Sequence, residues 1–299
     1  MEKAKKRHIR EYLIEKWFLF LATISIIILG LIVVFLFKEG LPIFKTVSVG
    51  EFLFGQLWYP TDEPADFGIL SIIVGSLVVT GISSMIAVPL GVLSAIYISE
   101  IAGPGVKEIL KPVVELLAAL PSVVIGFFGM VVMAPFFQKV FNIPTGLNIV
   151  NASLMLAMMA VPTISSLTED AIHAVRRELR EASLALGATQ WETISRVIVP
   201  ASLSGICTAI ILGMSRAIGE TMVVLMVAGG AATIPESIFD SVRPMPASIA
   251  AEMAETPFRS DHYHALFAIG IVLFITTFLF NLIADYISQK YKQVGTATL

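Results

Sequence analysis

The sequence has few charged residues and only one cysteine. Of its 299 residues 14% are charged, whereas about a quarter is usual in a soluble domain. The charges are grouped into blocks between apolar stretches, which indicates an integral membrane protein. A net charge of −3 gives no sign of nucleic-acid binding. Because Cys207 stands alone, it can form neither an internal disulfide nor a cysteine metal cluster, and we expect it to act as a small apolar helix residue.

Motifs of common enzymes are also missing. The chain has no G-x-x-x-x-G-K-[ST] loop, no H-E-x-x-H and no G-x-S-x-G. It therefore offers no P-loop for ATP, no catalytic constellation and no cofactor site. The triplet His262 to His264 does not indicate a metal site, because two histidines two positions apart do not share a helix face. A transporter or channel is a better interpretation than an intramembrane enzyme.

Six apolar stretches are long enough to cross a bilayer, which takes about 20 mostly apolar residues. They cover residues 17–37, 69–99, 116–137, 147–168, 197–230 and 265–284. The first is longer than a signal-peptide core and lacks a small-residue cleavage site, so we interpret it as a retained span. Pro89 predicts a kink or an early end in the second stretch. The predicted fold class is an all-α integral membrane protein with six transmembrane helices.

The basic residues predict how these spans are oriented. Fourteen lysines and arginines lie on the side of the two termini, against five on the other side. Because cytoplasmic segments carry the excess of basic residues, both termini are predicted to be cytoplasmic. The chain then divides into a basic cytoplasmic tail that faces membrane lipid (1–16), a first span (17–37), a periplasmic segment (38–67), a core of five spans (68–288) and a cytoplasmic tail (289–299).

Two segments on the predicted periplasmic side, 38–67 and 231–264, are longer than a turn and more polar than the spans. Long surface segments often carry function, so docking of an outside partner stays open for both. Trp58, in the first segment, is expected at the membrane interface, where tryptophan is enriched.

The connection between the fourth and fifth spans, 169–199, predicts a helical hairpin on the cytoplasmic side. Apolar residues recur with a helical period from Ile172 to Leu186. Gly187 then follows as a helix stop in the left-handed conformation. The sequence thus predicts a first short helix that ends at this glycine.

A second short helix is predicted directly after the glycine. Thr189 and Glu192, three positions apart, form the pattern of a capping box, and Pro200 is expected to open the fifth span. Trp191 contributes to an apolar face on this helix. A connector that only lies on lipid needs neither this length nor a tryptophan, so we favour docking of a partner protein.

The hairpin resembles the EAA loop of ABC importer permeases. That loop reads E-A-A, three residues, G, nine residues, I-x-L-P; here Glu181-Ala182-Ser183, Gly187 and Val197-Ile198-Val199-Pro200 stand at these positions with the spacing intact. The departures at Ser183, Val197 and Val199 are conservative. The resemblance implies a type I ABC importer permease fold with a coupling helix that fits a groove on a separate ATPase. Glu181, Ala182 and Gly187 are the residues that it assigns to this coupling.

Arg216 and Glu220 lie inside the fifth apolar stretch, where charges are costly and mark a pathway or a buried pair. Four positions apart, they are predicted to share one helix face and to be able to pair. Two roles are consistent with the sequence. In one, the two residues form a self-compensated ion pair that fixes helix packing. In the other, Arg216 meets an anion in the translocation path while Glu220 holds its guanidinium in place. Arginine suits phosphate because its planar guanidinium donates two hydrogen bonds.

The stretch SRAIGETMVVLMVAGG, residues 215–230, resembles the R-A-x-G-E-T-M element of phosphate-specific ABC importer permeases of the PstC type. Further stretches between Phe67 and Gly230 agree with the same family. The resemblance implies a heterodimer with a PstA-type permease, a PstB-type ATPase dimer and a periplasmic PstS-type phosphate-binding protein. It also implies that Arg216, Glu220 and Thr221 belong to the phosphate pathway.

Two other functions stay open on the sequence. A permease for another oxyanion, such as sulfate, molybdate or phosphonate, would share the EAA loop but not the whole R-A-I-G-E-T-M stretch. An ion-coupled secondary transporter would need no docking hairpin and usually shows internal repeats, which the two halves do not reveal convincingly.

Overall fold

A computed structural model describes residues 2–292, and the side chains of residues 11–286 and 289. The terminal tail 293–299 lies outside the described residues. So do the side chains of several basic residues that entered the orientation prediction, namely Lys3, Lys5, Lys6, Arg7, Arg10, Lys290 and Lys292. Six helices of the described chain are long and apolar enough to cross a membrane.

The chain begins with the long helix α1 (Glu2–Gly40), which contains the first predicted span. Its apolar middle is exposed on all sides, as expected for a helix that contacts lipid. A 3₁₀ turn (Leu41–Lys45) and the short helix α2 (Val49–Phe54) follow. Two short strands, β1 (Trp58–Tyr59) and β2 (Asp66–Phe67), then pair antiparallel, with Trp58 opposite Phe67.

The second span is α3 (Leu70–Ile96), which continues as a π turn over Tyr97–Ile101. The early end predicted at Pro89 is wrong, because the helix runs through this residue. Membrane helices tolerate proline since neighbouring helices support the turn that has lost one hydrogen bond.

The third span begins later than predicted. Residues 104–119 form a separate amphipathic helix, α4 (Pro104–Ala119), where the sequence analysis expected a short loop followed by a span from Leu116. Leu120 and Pro121 are extended and end α4, since a residue that precedes proline avoids the helical conformation. The span itself comprises α5 (Ser122–Phe128), a π turn (Gly129–Met133) and α6 (Ala134–Phe141).

The fourth span is α7 (Ile149–His173), and the hairpin follows as α8 (Arg177–Ala185) and α9 (Gln190–Thr193). The first hairpin helix therefore begins at Arg177 and not at Ile172, which belongs to α7. Helix α9 passes through a π turn (Ile194–Ile198) directly into α10 (Val199–Ile218), so the fifth span does not start afresh at Pro200. The π turn widens the helix where the proline ring would otherwise clash with the preceding turn.

The fifth apolar stretch is broken in the structure. Helix α10 ends at Ile218, and a short helix α11 (Met222–Val227) follows after a break of three residues. The predicted single span to Gly230 is therefore wrong. Helix α12 (Met245–Glu252) and the sixth span, α13 (Asp261–Lys292), complete the described chain.

The spans pack in the order α1, α13, α10, α7 and α3, with α3 and α7 in contact along most of their length. Glycines allow a close approach at the centre: an added Cβ at Gly91 of α3 or Gly213 of α10 would lie 2.8 or 2.4 Å from the side chain of Ile164 of α7. Small residues of this kind bring membrane helices into direct contact. The bundle has two ends: the hairpin end, with α8 and α9, and the loop end, with residues 38–67 and 231–264.

Candidate functional site

The hairpin has the local geometry that the sequence predicts. Gly187 lies at φ +87°, and the side chain of Thr189 accepts a hydrogen bond from the backbone N–H of Glu192 at 3.3 Å. In return, the Glu192 carboxylate accepts the N–H of Thr189 at 2.9 Å, which completes the capping box. The hydroxyls of Ser183 and Thr193 are 2.9 Å apart and join the two limbs. The prediction of two short helices around Gly187 is confirmed.

The tip of the hairpin presents apolar side chains to the surroundings. Leu186 is 90% exposed and Trp191 65% exposed, and Leu184 lies beside them on the surface. Helix α8 has no buried residue, so Glu181 and Ala182 are exposed as well. An apolar patch with a polar rim outside the core is typical of a protein interaction site.

The base of the hairpin is held by a small apolar cluster. Ile172 of α7 is buried together with Ile194 and Ile198 of the π turn, and Ile96 of α3 packs against them. The sequence analysis assigned Ile172 to the apolar face of the first hairpin helix. In the structure this residue belongs to α7 and packs in the cluster at the base of the hairpin.

Arg216 and Glu220 do not form the predicted pair. Because α10 ends at Ile218, the two residues do not share a helix face, and in the described chain they form no ion pair. The Nη1 of Arg216 donates to the hydroxyl of Thr163 at 3.4 Å, and its side chain is exposed. Glu220 instead caps α11.

The cap explains where the break lies. One oxygen of the Glu220 carboxylate accepts the backbone N–H groups of Met222 and Val223, at 3.2 and 3.4 Å. These are among the N–H groups that a helix leaves without partners in its first turn, and a carboxylate there is favoured by the helix dipole. Thr221 is half-buried between the two helices, and its hydroxyl donates to the carbonyl of Gly219 at 3.4 Å.

The three residues of the predicted pathway thus surround the break between α10 and α11. Arg216 and Glu220 line one narrow cleft, whose other walls come from α7 and α10. Arginine has five N–H donors, and the described residues engage one of them here. The site can therefore offer donors to an anion while the nearby carboxylate is occupied by the helix N-terminus.

The loop end is organised around a carboxylate that the sequence analysis did not single out. Glu252 accepts hydrogen bonds from Trp58 Nε1 (3.1 Å), from His262 Nε2 (2.8 Å) and from Arg243. Trp58, which the sequence analysis expected at the membrane interface, is buried within the protein. An indole N–H needs an acceptor when it is buried, and Glu252 supplies it. These contacts join the two loop segments.

Two histidines of the triplet make hydrogen bonds in this region. His262 contacts Glu252, and the Nδ1 of His264 lies 2.7 Å from the carbonyl oxygen of Glu39. Among the side chains that the structure describes, no group of three histidine, cysteine, aspartate or glutamate residues is placed to hold a metal ion.

A second group missed by the sequence analysis lies at the hairpin end. Arg180, which directly precedes the E-A-A residues, forms an ion pair with Glu100 at 2.7 Å. The one available signal was Glu100 itself, an isolated acid at the end of a long apolar stretch. Its partner is 80 positions away along the chain, and no local pattern identifies such a pairing.

Comparison with known proteins identifies the family. Residues 87–293 match the family described as binding-protein-dependent transport system inner membrane component, which is more than half of the chain. The chain belongs to this family. The permease is accordingly a multi-pass inner membrane protein whose partners are an ATPase and a binding protein.

Several curated relatives match the permease over most of its length. A probable ABC transporter permease protein, YqgH of Bacillus subtilis, is 41% identical over 87% of this chain and 85% of its own. The phosphate transport system permease protein PstC of Mesorhizobium japonicum is 33% identical over 90% of this chain and 87% of its own. PstC of Haemophilus influenzae is 31% identical, with 82% of each chain covered.

Solved structures show the same fold. A chain of the bacterial alginate ABC transporter superposes with a TM-score of 0.65 over 95% of the permease and 96% of that chain, at 17% identity. A chain of the MetNI methionine ABC transporter, in an inward-facing conformation, gives 0.56 over 75% and 94%, at 21% identity. The predicted type I ABC importer permease fold is confirmed.

Proposed function

We propose that the chain is the PstC-type permease subunit of an ATP-driven importer of inorganic phosphate. The observation that carries the proposal is the exposed guanidinium of Arg216 at the break between α10 and α11, not neutralised by Glu220. The relatives named as phosphate permeases, with 31–33% identity over most of the chain, support the same substrate.

In this proposal Arg216 donates hydrogen bonds to a phosphate that passes the break. A guanidinium suits this role because it stays charged and presents paired donors to an oxyanion. Glu220 acts indirectly. By capping α11 it fixes the position of the break, and its carboxylate accepts hydrogen bonds from the N-terminus of that helix instead of pairing with Arg216. Thr221, at the same break, adds a hydroxyl that can turn toward the anion.

In this proposal the hairpin lies in the cytoplasm and binds the ATPase. Its exposed apolar tip, with Leu186 and Trp191, supports docking into a groove, and Glu181, Ala182 and Gly187 belong to that contact. ATP is hydrolysed on a separate PstB-type dimer, a PstA-type subunit completes the pore, and a PstS-type protein delivers phosphate at the loop end. Both termini are cytoplasmic in this arrangement.

Uptake of labelled phosphate tests the proposal. We expect ATP-dependent uptake in cells that lack other phosphate importers, only when this chain is present with its partners, and unaffected by excess sulfate. If an assembled complex takes up sulfate, molybdate or phosphonate and not phosphate, the proposed substrate is wrong and the assignment as a permease stays.

The variant Arg216→Gln tests the pathway. We expect uptake to fall roughly 10- to 100-fold, the effect of losing a hydrogen bond from a charged donor, while the complex still assembles. Lys139→Gln removes an equal charge from the exposed side of α6 and should leave uptake unchanged. Loss of assembly in Arg216→Gln would instead assign a packing role to this arginine.

A further inference from the structure

The end of α3 is a junction with four other helices. Its π turn carries Ser99 and Glu100, which receive donors from α4, α8 and α9, and the hydroxyl of Ser99 also lies 3.5 Å from Nδ1 of His173 on α7. The ammonium of Lys107 (α4) donates to the carbonyl of Ser99 at 2.6 Å. Arg180 (α8) donates to the Glu100 carboxylate at 2.7 Å, and the amide of Gln190 (α9) to the Glu100 carbonyl at 3.0 Å. Both limbs of the hairpin thus bind the same residue.

The contact at Glu100 is partly buried and directional. Its side chain is 5% exposed and that of Arg180 34% exposed, so the pair is largely shielded from water. The carboxylate also accepts the hydroxyl of Ser99 at 3.2 Å. Short hydrogen bonds between charged groups fix geometry more strictly than apolar contacts do. Removing one partner of such a pair leaves an uncompensated buried charge.

Apart from its continuous connection through the π turn into α10, the hairpin makes few polar contacts with the spans. The side-chain hydrogen bonds and ion pairs that the structure describes from α8 and α9 to a helix outside the hairpin all end on Glu100. The remaining ones, such as those of Ser183 and Thr189, stay inside the hairpin. The apolar cluster around Ile172 also joins the base to α3, through contacts that are non-directional.

Helix α3 is suited to carry a displacement onward. It packs against α7 along most of its length and approaches it closely at Gly91. A rigid, closely packed helix passes movement at one end to its neighbours, because packed cores shift between discrete arrangements instead of deforming.

We propose that Glu100 is the positioning residue through which movement of the hairpin reaches α3 and the transmembrane bundle. The inference rests on the proposed docking of the hairpin to an ATPase. It does not depend on which solute the permease carries. Glu100 touches no solute; it holds the hairpin and α3 together as one unit while nucleotide drives the conformational change.

Spin labels test this unit directly in the assembled complex with its ATPase. Cysteines replace Glu178 on α8 and Leu77 on α3, both exposed, in a Cys207→Ser background. About 35 Å of helix separates Leu77 from Glu100, within reach of pulsed distance measurements. We expect the same label distance without nucleotide and with trapped ATP and vanadate. With Glu100→Gln we expect the distance to shift or broaden when nucleotide is trapped.

Glu108→Gln, an equal change on the exposed side of α4, should behave like the unaltered complex. A label distance that changes with nucleotide in the unaltered complex, or that stays constant in Glu100→Gln, would overturn the proposal. This readout involves no solute, so absence of phosphate uptake by the unaltered complex would reject the proposed substrate alone.

Transport stoichiometry supplies the second test. In Glu100→Gln and Arg180→Gln we expect the ATPase to stay bound and active, while solute moved per ATP falls roughly fivefold or more, as for coupled sites. The reciprocal exchange Glu100→Arg with Arg180→Glu should restore most of this ratio. If the ATPase no longer co-purifies with either single variant and the exchange does not recover it, the pair serves assembly only and the proposal is wrong.

Discussion

At the scale of single residues, the carboxylates of this permease fix its polar segments by accepting several hydrogen bonds each. Glu220 caps α11 and thereby leaves Arg216 available, while Glu252 binds an indole, an imidazole and a guanidinium at once. In both places one acid satisfies several donors, as buried polar groups require. The chemistry of each acid therefore follows from its neighbours and not from its position in the sequence.

The variant Glu252→Gln tests the organisation of the loop end. The glutamine oxygen can still accept the hydrogen bond of Trp58, but the negative charge opposite Arg243 is lost. We therefore expect the free energy of unfolding to fall by about 2 kcal/mol, which is less than the loss for a fully buried ion pair. Thermal unfolding in detergent measures the change. Glu255→Gln, on the exposed side of the same loop, is the matched control. Equal stability of both variants would contradict the assigned role.

At the scale of helices, the bundle depends on how closely α3, α7 and α10 approach one another. Ile164 of α7 is fully buried, and Gly91 and Gly213 face it from the two neighbouring helices. Without a hydrophobic force between helices in lipid, such packing contacts hold the spans together. A glycine in a membrane helix costs intrinsic helix stability, and close packing offsets that cost.

The variant Gly213→Ala tests this packing. Its Cβ would come within 2.4 Å of the Ile164 side chain, so we expect a loss of about 1–3 kcal/mol from overpacking. Ile164→Val in the same chain should recover part of the loss. Gly81→Ala places its Cβ in open space on α3 and should be neutral or slightly stabilising. A melting temperature for Gly213→Ala that matches Gly81→Ala would show that the contact is not tight.

At the scale of the whole molecule, the bundle separates two surfaces of different character. The hairpin end exposes an apolar tip on short helices, and the loop end consists of two segments joined by charged contacts at Glu252. The family implies an ATPase and a binding protein as partners, and in the proposed function they bind at the hairpin end and at the loop end. Transport then requires that a conformational change at the hairpin end alter the loop end, about 35 Å of helix away.

The variant Glu181→Lys tests the coupling surface in the whole complex. It reverses a charge on the exposed face of α8, so we expect ATP-driven uptake to be abolished while the substrate-binding protein remains loaded. Glu108→Lys, an equal reversal on α4, should transport normally. Uptake that survives Glu181→Lys would mean that this residue is not part of the ATPase contact.

The predictions from sequence were correct where the information is local. The capping box of Thr189 and Glu192 depends on residues three positions apart, and the left-handed Gly187 needs only its own backbone freedom. The limits of the third and fifth spans were wrong for a related reason. Pro121, which the sequence shows as an interruption of the third stretch, separates α4 from α5, and hydropathy does not register that Glu220 ends one helix and starts another.

By itself the sequence determined that this is a six-span membrane protein with a helical hairpin between the fourth and fifth spans, because bilayer thickness, helical period and helix caps act over a few turns of chain. Only the tertiary structure decided that Arg216 is not paired with Glu220, that Trp58 is buried against Glu252, and that Arg180 binds Glu100. The partners in the last two contacts are 194 and 80 positions apart. Folding brings them together through the packing of whole helices, which no local pattern records.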